Sequence, residues 1–344
     1  MLKDGAKYVF GIALAVALMA WVLRGTDPAT LWEQLKSASI GGLLLGASLN
    51  LGHNVFRVLR WRVLLEPTRA GLPFRSLFSA ILIGYMTSWV VPGRLGELVR
   101  PMLVSARESV PLGPALGSVV ADRVLDIVSV AFLFGVGMLI TPLTGEAAEY
   151  AVLLRSGAVL MTLGGIVVLA VMVSVAIAGE RCEAWIDRQA KLIRWIGRAT
   201  LSVSRGAVAL RSPVALIAAV FYGLLAWLLI AAGTLVCVRA CGAELSLGAT
   251  FIIMPMLVLG VAVPTPGGAG SYHGAMRTGL MLFGVSQLTA VTAGLLTHAM
   301  ITIPIIVVGV LLLWIEKVKW SDLLAGAREI KRLGGETRSA EGLS

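Results

Sequence analysis

Apolar residues run along this chain in long blocks separated by short polar breaks. A bilayer core takes about 20 apolar residues per helix. Residues 8–23 form the first block, flanked by Lys3 and Lys7. No small-x-small cleavage site follows it and more blocks come after, so it reads as a retained signal anchor. Residues 40–56, 112–140, 156–178, 213–238 and 286–315 are further spanning blocks. Two shorter blocks, 77–91 and 249–263, run into Gly/Pro-rich breaks, Val91-Pro-Gly-Arg-Leu-Gly-Glu-Leu-Val-Arg100 and Pro264-Thr-Pro-Gly-Gly-Ala-Gly270. The pattern predicts an all-α polytopic membrane protein with about six full spans and two broken elements.

The charges between blocks set their orientation, because cytoplasmic loops collect Lys and Arg. Residues 57–75 carry Arg57, Arg60, Arg62, Arg69 and Arg75 against Glu66, which predicts a cytoplasmic loop. Residues 179–212 carry Arg181, Arg188, Lys191, Arg194, Arg198, Arg205 and Arg211, and the tail beyond Ile315 is basic too. Residues 141–151 hold Glu146 and Glu149 and no base, which places them outside. Parity then requires residues 76–111 to enter and leave on the cytoplasmic side, as a re-entrant hairpin. Residues 249–284 form a second hairpin from the opposite face. Shifting by 172 residues lays Val91-Pro92 on Val263-Pro264 and Gly96 on Gly268. Both halves, about 40–140 and 213–315, run span, hairpin, span in opposite orientation. That is an inverted repeat, and paired broken segments in matching positions point to a transporter's binding site. At the tips, Pro92, Pro264 and Pro266 break the helices. Gly93, Gly96, Gly267, Gly268 and Gly270 are expected to make the tight turns, since glycine takes positive φ without strain.

Composition agrees. Hydrophobic residues make up 58% of the 344 and charged residues 14%, where a soluble domain is roughly a quarter charged. Mean hydropathy is +0.89. This excludes a secreted disulfide scaffold, a disordered chain and an ordinary cytosolic enzyme. The net charge of +10 is carried by the cytoplasmic segments and needs no nucleic acid to explain it. Trp185, Ile186, Leu192, Ile193, Trp195 and Ile196 interleave with the bases of 179–212, which suits either a helix lying on the leaflet or a plain connecting helix. Residues 1–320 thus read as one transmembrane domain and 321–344 as a cytoplasmic tail. Cys237, Cys241 and Cys182 fit no metal or disulfide pattern and read as packing residues. There is no Walker loop, HExxH or nucleophile elbow, so no enzyme activity, cofactor or metal is expected.

A charge at mid-bilayer costs about 2.5–3.5 kcal/mol even on the lenient insertion scale, so the remaining ones need a reason. Arg94, Glu97 and Arg100 are spaced by three, which lets Glu97 hold both arginines on a helical arm. Their spare donors suit a phosphate, which Arg grips bidentately. The alternative is an ion cluster stitching the hairpin to a neighbour. Asp122 and Asp126 share a face four residues apart, beside Arg123, and require a basic partner from Arg94, Arg100 or Arg57. A headgroup or proton-coupling site and a structural network both fit. Asn50, His53 and Asn54 suit helix-to-helix hydrogen bonds. His273, after the second tip, and His298, beside Thr297, are either packing residues or groups with a role.

Arg60-Trp61, then the Val91–Arg100 run, then Asp122-Arg123-Val-Leu-Asp126, then Pro264–Gly270 resemble the lysylphosphatidylglycerol synthase transmembrane (flippase-like) family, over roughly residues 5 to 320. The resemblance implies a multi-pass bacterial inner-membrane protein. Both termini are expected in the cytoplasm and a homo-oligomer is compatible. Its larger members join this domain to a soluble synthase domain. Here about 29 residues follow Ile315, so the expectation is a stand-alone member that translocates lipid rather than making it. The family often has Glu where this chain has His273 and Asp122. Asp122 keeps the chemistry. His273 makes a cationic aminoacylated lipid a poor fit and favours an anionic or zwitterionic, phosphate-bearing lipid. The residues expected to bind it are Arg94, Glu97, Arg100, Asp122, Arg123, Asp126 and His273. A lipid-modifying membrane enzyme and a lipid-binding accessory protein are the rival readings.

Overall fold

The computed structural model describes residues 2–91, 95–186, 204–323 and 325–326. All regular elements among them are helical. Helix α1 (Leu2–Leu23) turns by 86° into the short α2 (Pro28–Ser37), which Asp27 caps by accepting from the Thr30 N–H at 2.9 Å. Next come α3 (Ile40–Leu65), α4 (Phe74–Val90), α5 (Gly96–Glu108) and α6 (Leu112–Ile140). A single turn, α7 (Glu146–Glu149), leads to the long α8 (Ala151–Ile186). The second half holds α9 (Pro213–Ala240), α10 (Leu247–Ala262), α11 (Ser271–Leu282) and α12 (Gln287–Ile315). Ser212, Ser246 and Ser286 cap α9, α10 and α12 through their side chains.

Four helices are long and apolar enough to cross a membrane: Leu112–Ile140, Ala151–Ala178, Pro213–Ala240 and Gln287–Ile315. The bent pair α1/α2 makes a fifth if taken as one span. Large apolar side chains face outward all round them, among them Leu139 (87% exposed), Val152 (80%) and Trp314 (79%). Lipid is the solvent such a surface needs. Helix α3 has the length, at 26 residues, but carries Arg57, Arg60 and Arg62 inside it. This corrects the loop expected over 57–75. The helix runs on to Leu65, and Arg57 and Arg60 are buried within the protein rather than exposed to the cytoplasm. Charge pattern alone does not distinguish an arginine facing water from one facing a buried carboxylate.

The two halves are related by an exchange of contacts. Helix α4 folds back on α5, and α10 folds back on α11. Helix α4 packs on α12 from the other half, and α10 packs on α6 in the same way. The matching helices α3 and α9 lie side by side and antiparallel: Gly42 meets Ala240, Gly46 meets Gly233 and Cys237, and Arg60 meets Gly223. Helices that are equivalent yet antiparallel place the twofold axis across the bundle, which is the geometry of an inverted repeat. Each return arm is also tied to α12. Arg107 of α5 pairs with Glu316 at 2.5 Å, while Arg277 of α11 donates to Gln287 Oε1 at 2.8 Å.

Gly96 is needed for a different reason from the one expected. It has no positive φ. Instead a Cβ there would collide with the Gly84 carbonyl and Ser88 Oγ, so it sets how closely the two arms of the first hairpin approach. Gly267, Gly268 and Gly270 do take positive φ, at 57°, 66° and 78°, and make the second tip. Pro92, Gly93 and Arg94 lie outside the described residues, as does residues 187–203 of the basic segment and most of the tail.

Candidate functional site: a buried arginine–carboxylate cluster

Helices α3, α5, α6 and α9 converge on Asp122 and Asp126, near the middle of α6. The four-residue spacing points both carboxylates to one side, where they meet arginines from two other helices. Asp126 is the hub. It accepts from Arg57 Nη1 at 3.0 and 3.2 Å, Arg60 Nη2 at 2.8 Å, Arg123 Nη1 at 2.9 Å and the Trp227 indole N–H at 2.9 Å. Asp122 pairs with Arg60 at 2.6 Å and accepts from Arg100 Nη1 at 3.0 Å. Glu97 accepts from Arg123 Nε at 3.1 Å. Aromatic faces hold the guanidinium planes: Arg100 lies 4.3 Å from the Trp61 ring centre, and Arg57 lies 5.6 Å from both Tyr85 and Trp227. The Trp61 N–H is anchored on Ser118 Oγ at 2.9 Å.

The structure thus brings together Glu97, Arg100, Asp122, Arg123 and Asp126. It rearranges their expected pairing. Glu97 does not sit between two arginines of its own arm; it reaches Arg123 on α6, and Arg100 reaches Asp122. His273 is not part of this cluster. It stands at the start of α11, where its Nδ1 accepts from the Gly270 N–H at 3.2 Å. Glu or Gln three residues into a helix commonly fills that capping position. Imidazole in place of Glu there keeps the acceptor. Arg57 joins as a partner foreseen for the aspartates. Arg60 and Trp227 are additions. Arg60 stands in the sequence as a base of the 57–75 segment and in the Arg60-Trp61 motif, neither of which pairs it with the aspartates, and no local pattern marks Trp227 among the apolar residues of α9.

Four guanidinium groups face three carboxylates here. Several donors are left over. Arg57 Nε, Arg60 Nε and Nη1, and Arg100 Nε and Nη2 are buried with no acceptor among the described residues. Buried donors without partners are costly, and a positive surplus beside them is an anion's environment. The cluster is closed at Arg60 (0% exposed) and open at Arg123 and Glu97, whose side chains are about one third exposed. No group of metal-ligating side chains occurs among the described residues.

A multi-pass helical membrane protein with opposed broken helices and a buried ionic centre is a recognisable class. Residues 8–309 match the family described as the lysylphosphatidylglycerol synthase transmembrane region, and the chain belongs to that family. Over 149 residues it is also 28% identical to glycosyltransferase AglD of Haloferax volcanii, a match covering 43% of this chain and 24% of that protein.

Proposed function

We propose that the protein is a lipid transporter that moves a phosphate-bearing lipid between the leaflets of a bacterial inner membrane. The observation that carries this reading is the buried surplus of arginine donors at Arg57, Arg60 and Arg100. A phosphate oxygen is the acceptor those guanidinium groups match in charge and geometry. Arg123 and Glu97, at the open edge, meet the headgroup first. Arg123 exchanges Glu97 for the phosphate, and Asp122 and Asp126 keep the other arginines in place. The acyl or prenyl chains stay in lipid. The basic segments put both termini in the cytoplasm. Family membership supports a membrane-lipid role.

Headgroup accessibility in proteoliposomes tests the proposal. Labelled phospholipid or polyprenyl phosphate is expected to cross unmodified. Arg123→Gln removes a charge-assisted hydrogen bond worth about 1.5–3 kcal/mol, so transport is expected to slow roughly 10- to 100-fold. Lipid that emerges chemically altered would favour the enzyme reading, for which the name of the H. volcanii relative is the supporting observation. No movement under any gradient would sink transport.

A further inference from the structure

A second cluster lies where the two hairpins meet. Trp89, at the end of α4, approaches the second tip through both backbone and ring: its carbonyl and indole are what a Cβ added at Gly267 or Gly268 would meet first. The His298 ring of α12 stands 5.5 Å from Trp89, 5.1 Å from Tyr272 and 4.7 Å from His273. His298 Nε2 donates to the Gly267 carbonyl at 2.9 Å, which makes its Nδ1 an acceptor. His273 Nδ1 accepts from Gly270, which makes its Nε2 a donor. The Tyr272 hydroxyl is buried and has no hydrogen-bond partner among the described residues. No carboxylate, lysine or arginine takes part in these contacts.

This chemistry is neutral, aromatic and rich in both donors and acceptors. Among the described residues, an ammonium group would find no anion in these contacts, and a phosphate would find no guanidinium. A polyhydroxylated ring suits it. Its C–H faces lie on aromatic planes, and its hydroxyls both donate and accept. The position matters as much. Tyr85 and Trp89 are four residues apart on α4, so they share a face about 6 Å apart along the axis. Tyr85 lies beside Arg57 and Arg123, and Trp89 lies beside His298. The two clusters are therefore adjacent along one helix, at the spacing of a phosphate and the group esterified to it.

We propose that the transported lipid is a phosphodiester whose phosphate bears a neutral sugar or cyclitol, with the phosphate on the arginine cluster and the ring on the half-buried Trp89 and His298, which the buried Tyr272 and His273 back. This rests on the phosphate reading above and adds the headgroup class to it. The test is binding to the full chain in nanodiscs with four lipids. Polyprenyl phosphate is compared with polyprenyl phosphate hexose, and phosphatidic acid with phosphatidylinositol. In whichever carrier series binds, the ring-bearing lipid is expected to bind about tenfold tighter than its bare partner. That series identifies the carrier as prenyl or diacyl. Trp89→Ala and His298→Ala are expected to bring the ratio close to one, and Trp89→Phe to keep most of it. Arg123→Gln is expected to weaken both lipids of the pair and leave the ratio. Equal binding of both lipids by the wild type overturns the ring assignment while the phosphate reading stands. So does a ratio unchanged in both alanine variants. Binding of none of the four overturns both.

Discussion

Asp126 carries more of the structure than any other charged residue among those described. Three guanidinium groups and one indole N–H converge on its two oxygens. Removing one partner of a buried ion pair leaves the others uncompensated and costs about 3–5 kcal/mol. Asp126→Ala is expected to destabilise the protein by that amount, read as the unfolding midpoint in detergent. Asp126→Asn keeps an oxygen for the Trp227 N–H but loses the charge, so a smaller loss is expected; equal losses would show that charge dominates. The individual acidic residues were legible in the sequence, because an aspartate in an apolar span is expensive and needs a reason. Their partners were only partly so. Arg57 was foreseen, but Arg60 looked like a loop charge, and Trp227 sits in a helix so uniformly apolar that its one polar atom leaves no pattern. Pairing across helices depends on which faces meet, and local spacing does not encode that.

The hairpins depend on how closely two arms can approach. In the first, Gly96 backs onto the Gly84 carbonyl with no room for a methyl group. Gly96→Ala is expected to cost about 1–3 kcal/mol through overpacking, and to move Glu97 and Arg100 away from Arg123 and Asp122. Gly113→Ala is the control, because a Cβ there meets nothing within 4 Å. Thermal unfolding of the two variants checks this, and equal midpoints would argue against close approach as the role of Gly96. The hairpins themselves were readable from the short apolar arms and the Pro-Gly breaks. The limits of α3 were not. A helix normally sheds its arginines at the membrane surface, and this one keeps Arg57 and Arg60 because α6 supplies carboxylates at the same depth.

The exchange of contacts between halves has a consequence for movement. Helix α4 rests on α12 and α10 on α6, while the end of α4 touches the second tip through Trp89 and Gly267. In an inverted repeat one half can take the packing now seen in the other, and alternating access is this swap about a fixed site. The two halves differ most in what lines them: arginines and carboxylates in the first, imidazoles and aromatics in the second. In the transporter proposed above, such a swap would change which chemistry faces each leaflet while the end of α4 slides past the second tip. Joining the two should stop it. Trp89→Cys with Gly267→Cys, in a Cys182→Ser background, places two thiols at the point of contact, while Cys237 and Cys241 stay buried. Oxidation is expected to abolish the lipid movement that the reduced double variant still shows in proteoliposomes without the Trp89 indole, and reduction to restore that same level. Undiminished transport by the cross-linked protein would mean that the end of α4 and the second tip form one rigid unit and that lipid passes along the α4 face without their parting.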